Sequence, residues 1–228
     1  MAITHAMIYG PLDRPSKQIR LLEIISTEPQ VVFTIHTVSL LQKPIFSALS
    51  YVWGYPPLFA DVIVDGAAIP VTQNLIDAVK DIHKYWTQKT SGQSSSPMKL
   101  WADAICINQE DVAEENFQVP LMREIYSGAE QVLSWLGKSD ETTSAALDAL
   151  QLICKGISDL DEGSLLHLDW MKEHPRLCDG YPGDPRGPWL GIVNLTHRQY
   201  WNRVWIFQEV YLARDLLLIS GSNYFGFA

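Results

Sequence analysis

Two periods of apolar and polar residues alternate along this chain, and each predicts a different kind of element. Apolar residues at strand spacing fill residues 19–25 and 30–40, which predicts an N-terminal β-hairpin. Residues 61–71 predict two further strands around Asp65-Gly66, a residue pair that favours tight two-residue turns. The first third of the chain is therefore expected to form two antiparallel hairpins.

Helical spacing begins after Thr72 and Asn74, either of which can cap a helix. The apolar residues that then recur every three or four positions are Leu75, Ile76, Val79, Ile82 and Trp86. Similar patterns predict helices over residues 142–155, 189–197 and 202–213.

A further helix is predicted over residues 110–128, and it contains a proline. Pro120 has no N–H to donate and disfavours helical backbone at the residue before it. We therefore expect a break or kink near Val119, with a second helical piece over residues 120–126.

Short apolar runs between these helices predict buried strands, at residues 46–53, 99–107, 131–136 and 216–220. Strands that alternate with helices indicate an α/β fold with parallel central strands flanked by helices. The hairpins add antiparallel extensions to that sheet. Ligands of such sheets bind outside the carboxyl ends of the parallel strands.

The length of 228 residues fits one large domain. We expect residues 1–45 to form a β-hairpin extension packed on a domain that spans residues 46–228. Residues 88–98 are rich in Ser, Gln and Gly, which predicts a mobile polar loop. Residues 158–188 follow neither period and predict an irregular insertion on the surface.

Composition narrows the range of partners. Hydrophobic residues make up 47% of the chain and charged residues 19%, which is typical of globular proteins. The formal net charge of -9 argues against broad electrostatic binding to nucleic acid or to an anionic membrane. The apolar runs are too short to span a bilayer, and the first residues do not resemble a secretory signal. We expect a cytoplasmic protein with neither a nucleic-acid nor a membrane partner.

Few side chains offer metal-binding or nucleophilic chemistry. The three cysteines are widely spaced, which fits a reducing compartment better than a disulfide framework or a zinc site. The six histidines show no metal-binding spacing, and the chain has no phosphate-binding loop and no nucleophile elbow. Cys106 is a candidate nucleophile, but a cysteine in a buried strand is usually inert. We expect neither a metal nor a cofactor.

Glu209 is the acid that the pattern singles out most clearly. If residues 202–213 are helical, this helix is apolar nearly all round, and such a helix is usually buried. A buried carboxylate needs a partner, a raised pKa or a cleft. A structural ion pair, with Arg203, Arg214 or an arginine from elsewhere, and a functional site are both open from the sequence.

Further candidates lie at predicted strands. Asp103 interrupts an apolar strand, where it could bind a ligand or hydrogen-bond the backbone of the loop over residues 108–111. Ser50, Tyr51 and Trp53 end another strand, a position that carries binding residues in α/β folds. Aromatic residues at a strand end are, however, more often part of the core.

Three blocks of sequence carry a family resemblance. They are FSALSYVWG at residues 46–54, LWADAICINQ at residues 100–109 and RVWIFQEV at residues 203–210. The second block continues through Met122, Ile125, Tyr126, Ala129 and residues 135–137. Together they resemble the fungal heterokaryon incompatibility (HET) domain, over about residues 46–221. Two positions depart from that pattern, because Glu115 stands where an arginine is usual and Pro120 is also unusual.

The resemblance implies a function. HET domains trigger regulated cell death when incompatible fungal cells fuse, and they are similar to TIR domains. A TIR-like, flavodoxin-like sheet, a homo-oligomer and a partner such as an NLR-like incompatibility protein are therefore implied. Many TIR domains cleave the nicotinamide–ribose bond of NAD, so NAD is implied as a substrate. Trp205 and Glu209 match the spacing of the Trp and the catalytic Glu in the TIR motif W-C-x-x-E.

By that analogy Glu209 is catalytic, holding the hydroxyls of the nicotinamide ribose and stabilising an oxocarbenium-like transition state. The substrate-binding residues implied are Ser50, Tyr51, Trp53, Asp103 and Trp205, with Tyr51 and Trp53 stacked on the substrate rings. Two other functions stay open. One is a non-enzymatic signalling and oligomerisation module, and the other is a nucleotide sensor that binds without turnover.

Overall fold

The computed structural model describes residues 8–90, 97–158 and 187–226, together with Trp170, His174 and Leu177. The strands are β1 (Gln18–Ser26), β2 (Val32–Ser39), β3 (Ser47–Ser50), β4 (Phe59–Val64), β5 (Ala67–Thr72), β6 (Lys99–Trp101), β7 (Gln131–Trp135), β8 (Leu216–Ser220) and β9 (Asn223–Gly226). The helices are α1 (Gln73–Thr90), α2 (Asp103–Cys106), α3 (Val112–Gly128), α4 (Thr143–Ser158), α5 (Pro188–Thr196) and α6 (Ile206–Tyr211). The α/β class that the sequence predicts is confirmed.

Both predicted hairpins are confirmed, because β1 pairs antiparallel with β2 and β4 pairs antiparallel with β5. Asp65 (φ +47) and Gly66 (φ +83) form the turn between β4 and β5, and their positive φ values suit a two-residue hairpin turn. β1 also pairs with β6, and β2 pairs with β4. The hairpins therefore continue the central sheet.

The described strands form one sheet, in the order β5-β4-β2-β1-β6-β3-β7-β8-β9. Its centre is a parallel group with the order β6-β3-β7-β8. Numbered along the chain, that order is 2-1-3-4, and it reverses between β3 and β7. The register places Ser50, the last residue of β3, beside Ser134 of β7.

Successive residues of a strand face opposite sides of a sheet, and β7 shows what each side meets. Trp135 faces α1, and its indole N–H donates to Asp81 of that helix at 2.8 Å. Ser134 faces the other side, where its hydroxyl bonds to Tyr200. The carboxyl ends of the parallel strands are therefore covered by different segments on the two faces.

The predicted strand over residues 99–107 is wrong beyond its first three residues. β6 ends at Trp101, and α2 begins at Asp103. The Asp103 carboxylate accepts a hydrogen bond from the Ala104 N–H at 2.8 Å, which stabilises the first turn of the helix. Ile105 and Cys106 stay buried, but in a helix. A short apolar run has the same sequence pattern in a buried strand and in a buried helix.

Of the break or kink predicted near Val119, the break is wrong, because α3 runs through Pro120 as one helix. Asp111 caps its first turn by accepting two backbone N–H bonds, at 2.9 and 3.1 Å. The Pro120 ring is on the exposed side, while Tyr126 is buried and donates its hydroxyl to a β3 carbonyl at 3.1 Å. Tertiary packing of the inner face therefore outweighs the one backbone bond that the proline removes.

The other helices form close to their predicted positions. α1 continues to Thr90, into the predicted loop, and residues 91–96 of that loop lie outside the described residues. Most of the predicted insertion over residues 158–188 also lies outside them. The predicted helix over residues 202–213 is shorter, because a 3-10 turn (Gln199–Asn202) precedes α6. No helix of the described residues combines the length and the apolar character that crossing a membrane requires.

A buried ion pair joins β1 to α3. The guanidinium of Arg20, which is 1% exposed, donates to both carboxylate oxygens of Glu114 at 2.5 and 2.9 Å. Arg20 also donates to the carbonyls of Gly10 and Cys106, and Glu114 accepts the Asn108 N–H. Both charges are therefore satisfied inside the protein, largely by backbone groups.

Arg20→Met should lower the free energy of unfolding by about 3–5 kcal/mol, because it leaves the Glu114 carboxylate buried without its partner. Urea unfolding followed by circular dichroism measures this loss. Arg14→Met is the matched control, since exposed Arg14 contacts the same helix through the Ala113 carbonyl and the Phe117 ring and has no buried carboxylate as partner in the described residues. Its loss should stay at about 1 kcal/mol or less. Equal losses in the free energy of unfolding of the two variants would contradict the role of Arg20 as the partner of a buried carboxylate.

Candidate functional site

Glu209 lies on α6 with its side chain 1% exposed. Arg203 donates to both of its carboxylate oxygens, through Nη1 at 2.7 Å and Nη2 at 2.8 Å. Burial alone would lower the pKa of Arg203, but the adjacent carboxylate outweighs it and raises that pKa, so the guanidinium stays charged. Of the ion-pair partners that the sequence leaves open, the structure has Arg203.

Ser50 connects this ion pair to the sheet. Its hydroxyl donates to Glu209 Oε2 and accepts from Arg203 Nη1 at 3.2 Å. The Tyr200 hydroxyl bonds to Ser50 at 2.6 Å and to Ser134 at 2.8 Å. Burial raises the pKa of Tyr200 to about 12, so its phenol stays neutral. We call these five side chains the edge network, since they meet at the carboxyl ends of β3 and β7.

Asp103 lies beside the edge network. Burial raises its pKa above the ordinary value. The N–H of the next residue, the Arg203 guanidinium and the nearby Trp53 indole oppose that shift, while the Glu209 carboxylate adds to it. Two acids and one arginine are thus within electrostatic reach of each other at this edge. The backbone-bonding role that the sequence leaves open for Asp103 is present, at its own helix rather than at the next loop.

Tyr51 is buried just beyond the end of β3. Burial raises its pKa well above the ordinary value, and the Asp103 carboxylate raises it further. The Thr72 hydroxyl is near enough to oppose this shift, but no described residue forms a hydrogen bond of ordinary geometry with the Tyr51 hydroxyl. A buried hydroxyl without such a bond is a group that a ligand or water could satisfy.

The prediction that the helix around Glu209 is buried is wrong for much of the segment. Phe207 and Tyr211 of α6 and Val204 just before it are largely exposed, whereas Ile206 and Val210 are partly buried. Val204 is 88% exposed, Phe207 70% and Tyr211 74%. Glu209 is the buried residue of this helix. Trp205 precedes α6 and is 45% exposed, and its carbonyl accepts the Glu209 N–H at 3.2 Å. An ion pair anchors the helix, together with apolar packing of the partly buried Ile206. A hydrophobicity pattern does not reveal the ion pair.

A cavity of about 370 Å³ opens at the carboxyl ends of β3 and β7. It lies where the order of the parallel strands reverses, which is where open α/β sheets bind ligands. We call it the edge cavity, and its chemically distinctive lining residues are Trp53, Gln73, Asn74, Asp77, Lys138 and Gln199. Trp53 is thus the predicted site residue that lines it. Ser50, Tyr51, Asp103, Trp205 and Glu209 do not line it.

Sequence reasoning did not identify Ser134 and Tyr200. Ser134 is a polar residue in the buried strand QVLSW, the same signal that singled out Asp103. Tyr200 carried no such signal, because its position depends on a 3-10 turn. Burial raises the pKa of Cys106 to about 12, which keeps it a thiol and disfavours its interpretation as a nucleophile. Among the residues that the structure describes, no cluster of side chains suits a metal ion.

Comparison with known proteins relates the chain to one family. The sequence model of the family described as Heterokaryon incompatibility protein (HET) matches residues 46–209, which include the whole edge network. The protein "Heterokaryon incompatibility protein 6, OR allele" of Neurospora crassa is 35% identical over 235 residues, which cover 92% of this chain and 34% of that protein. The chain therefore spans about a third of the length of this curated relative. No solved structure gives a significant match.

Asp103→Asn should reduce the dependence of stability on pH. Because the folded pKa of Asp103 is raised above 3.8, the folded state binds more protons than the unfolded state between those two pKa values. The free energy of unfolding therefore falls as the pH rises from 3.8 through the folded pKa. The variant should show a shallower fall and a higher stability at neutral pH, in urea unfolding across that range.

Part of the fall remains in the variant, because burial also raises the pKa of Asp81. Asp61→Asn, on the exposed side of β4, serves as the control and should keep the parent slope. If the stability of the Asp103→Asn protein fell with pH as steeply as that of the parent, the raised pKa of Asp103 would be refuted.

Proposed function

We infer that this chain, which belongs to the heterokaryon incompatibility (HET) family, is a cell-death effector domain of fungal incompatibility that cleaves the nicotinamide–ribose bond of NAD. The cell-death role follows from the family. The cleavage rests on one observation, which is the Glu209 carboxylate bonded to Ser50 at the carboxyl end of β3. This is the edge of the sheet at which α/β folds bind ligands.

The strand order supports a TIR-like, flavodoxin-like assignment of the sheet. Flavodoxin-like sheets have the order 2-1-3-4-5, and the parallel strands of this chain follow the first four places of it. The antiparallel strand β9 occupies the fifth place. The point at which the order reverses is the point at which Ser50 pairs with Ser134.

The proposed reaction needs Glu209 as a carboxylate, and two neighbouring groups favour that form. Arg203 and the Ser50 hydroxyl both stabilise the ionised carboxylate. A carboxylate facing the ribose would stabilise the positive charge that develops as the bond from C1′ to nicotinamide breaks. The electron pair of that bond goes to the ring nitrogen, so nicotinamide leaves neutral. Water then adds to C1′ and loses a proton, which gives ADP-ribose.

Arg203 covers the carboxylate in the described conformation, so the proposal requires it to move. Glu209 is 1% exposed and Arg203 is 18% exposed. The pyrophosphate of a dinucleotide binds an arginine through the same paired geometry as a carboxylate does. The substrate therefore carries a group that can draw Arg203 away from Glu209. Arg203 is a positioning residue in this proposal.

Glu209→Gln should reduce nicotinamide release from NAD by about 100-fold or more, because the neutral amide no longer stabilises the cationic transition state. Nicotinamide is measured by chromatography after incubation at high protein concentration, with folding checked by circular dichroism. Glu124→Gln is the matched control, since it neutralises a surface acid paired with Lys17. Full turnover by a folded Glu209→Gln protein, or no release by the unaltered chain, would sink the proposed cleavage.

A non-enzymatic signalling module is the second candidate, and the exposed face of α6 favours it. The rings of Phe207 and Tyr211 stack on each other with centroids 5.2 Å apart. Clusters of exposed apolar side chains mark protein-binding surfaces more often than isolated ones do. In this function the chain forms a homo-oligomer and recruits an incompatibility partner through α6. The Arg203–Glu209 pair then serves to hold the helix in place.

Phe207→Ser combined with Tyr211→Ser distinguishes the two candidates. If α6 is the signalling surface, the double variant should lose toxicity in fungal cells while the unaltered chain kills without lowering NAD. Cell viability and cellular NAD are followed together over time. Leu41→Ser, at another exposed apolar residue, is the control and should stay toxic. Toxicity that survives the double variant, or NAD that falls before cells die, counts against the signalling module.

A further inference from the structure

The edge cavity carries aromatic groups that the proposed chemistry at Glu209 does not use. Trp53 and Tyr55 both line it, and they are 43% and 88% exposed. The indole of Trp53 lies close enough to the Asp103 carboxyl to oppose the rise of its pKa. An exposed indole that lines a cavity is a platform on which a flat heteroaromatic ring can stack.

Polar groups of both charges lie in the same cavity. Asp77 of α1 accepts from the Gln73 amide at 3.0 Å and pairs with the Lys138 ammonium at 2.8 Å. Asp77 is 16% exposed, so its carboxylate is held in place, whereas Lys138 is 72% exposed and free to turn toward a ligand. A restrained carboxylate suits the hydroxyls of a ribose, and an exposed ammonium suits a phosphate.

The size of the cavity limits what it can hold. Its volume of about 370 Å³ lies at the small end of the range of about 300–1,000 Å³ that ligand sites span. Such a volume suits one nucleotide rather than a whole dinucleotide. Trp53 lines the cavity and its indole is near the Asp103 carboxyl, so Trp53 lies on the side of the cavity that is nearest the acids of the edge.

We propose that the edge cavity binds the adenosine monophosphate half of the dinucleotide. The base stacks on Trp53, the ribose hydroxyls bond to Asp77, and the phosphate pairs with Lys138. The choice of adenine as the base rests on the proposed function, whereas the nucleotide class rests on the cavity. The arrangement also orients the substrate, because it leaves the nicotinamide ribose for Glu209.

Calorimetric titration of the full chain with adenosine monophosphate and with adenosine tests this site. Lys138→Ala should weaken binding of the monophosphate about tenfold, since it removes one charge-assisted contact. Adenosine has no phosphate, so its affinity should not change in that variant. Lys80→Ala is the matched control, because Lys80 also pairs with a single carboxylate but lies outside the cavity.

The aromatic contact is tested in the same way. Trp53→Ala should weaken both ligands, whereas Trp201→Ala, at an exposed tryptophan that does not line the cavity, should weaken neither. Equal affinity of all variants for the monophosphate, or no binding at millimolar concentration, would overturn the proposed site.

Failure of this site and failure of NAD cleavage give different results. Adenosine monophosphate lacks the nicotinamide–ribose bond, so its binding does not depend on catalysis. Binding that is sensitive to Lys138, without nicotinamide release from NAD, supports the nucleotide site and rejects the cleavage. Nicotinamide release with a KM for NAD that Lys138→Ala leaves unchanged supports the cleavage and rejects the site.

Discussion

The ion pair between Arg203 and Glu209 is the contact on which the carboxyl edge of the sheet depends. A carboxylate removed from water costs several kcal/mol unless a partner compensates it, so α6 can dock only with Arg203 and Ser50 in position. Loss of either charge would cost about 3–5 kcal/mol, a large share of the stability of an ordinary domain. The ion pair, together with apolar packing of Ile206, therefore places the last helix against the sheet.

The two buried ion pairs described above differ in what surrounds them. Arg20 and Glu114 are saturated largely by backbone groups, which cannot turn away, so that pair is suited to holding strands and helices together. The Arg203–Glu209 pair is surrounded by hydroxyl side chains, which can reorient and accept other partners. The two departures from the HET pattern, Glu115 and Pro120, are exposed on α3 and do not belong to the edge network.

Much of the fold could be predicted where the residue types of a turn and the spacing of apolar residues beside it indicate the same element. The turn at Asp65-Gly66 between β4 and β5 is an example. The predictions failed where an apolar run changes its role. The apolar residues after β6 form a helix from Asp103 onward, and several apolar residues around Glu209 are exposed. Glu209 could be singled out as an acid among apolar residues. The position of Tyr200 depends on a 3-10 turn, which the spacing of apolar residues does not predict. The edge cavity depends on strand order, which a single sequence does not contain.

The short length of α6 has a consequence for signalling. This helix has six residues, and the one that it buries is the acid of the edge network. Arg203, the counter-ion of that acid, therefore influences how firmly α6 is held against the sheet. A change at the edge network and a change at the exposed face of α6 would then shift the same equilibrium. In the proposed signalling function, a ligand that competed for Arg203 would change the affinity of the helix surface for a protein. By thermodynamic reciprocity, the protein would change the affinity for the ligand by the same factor. The binding of a small molecule and the binding of a signalling partner would then be coupled through the Arg203–Glu209 ion pair.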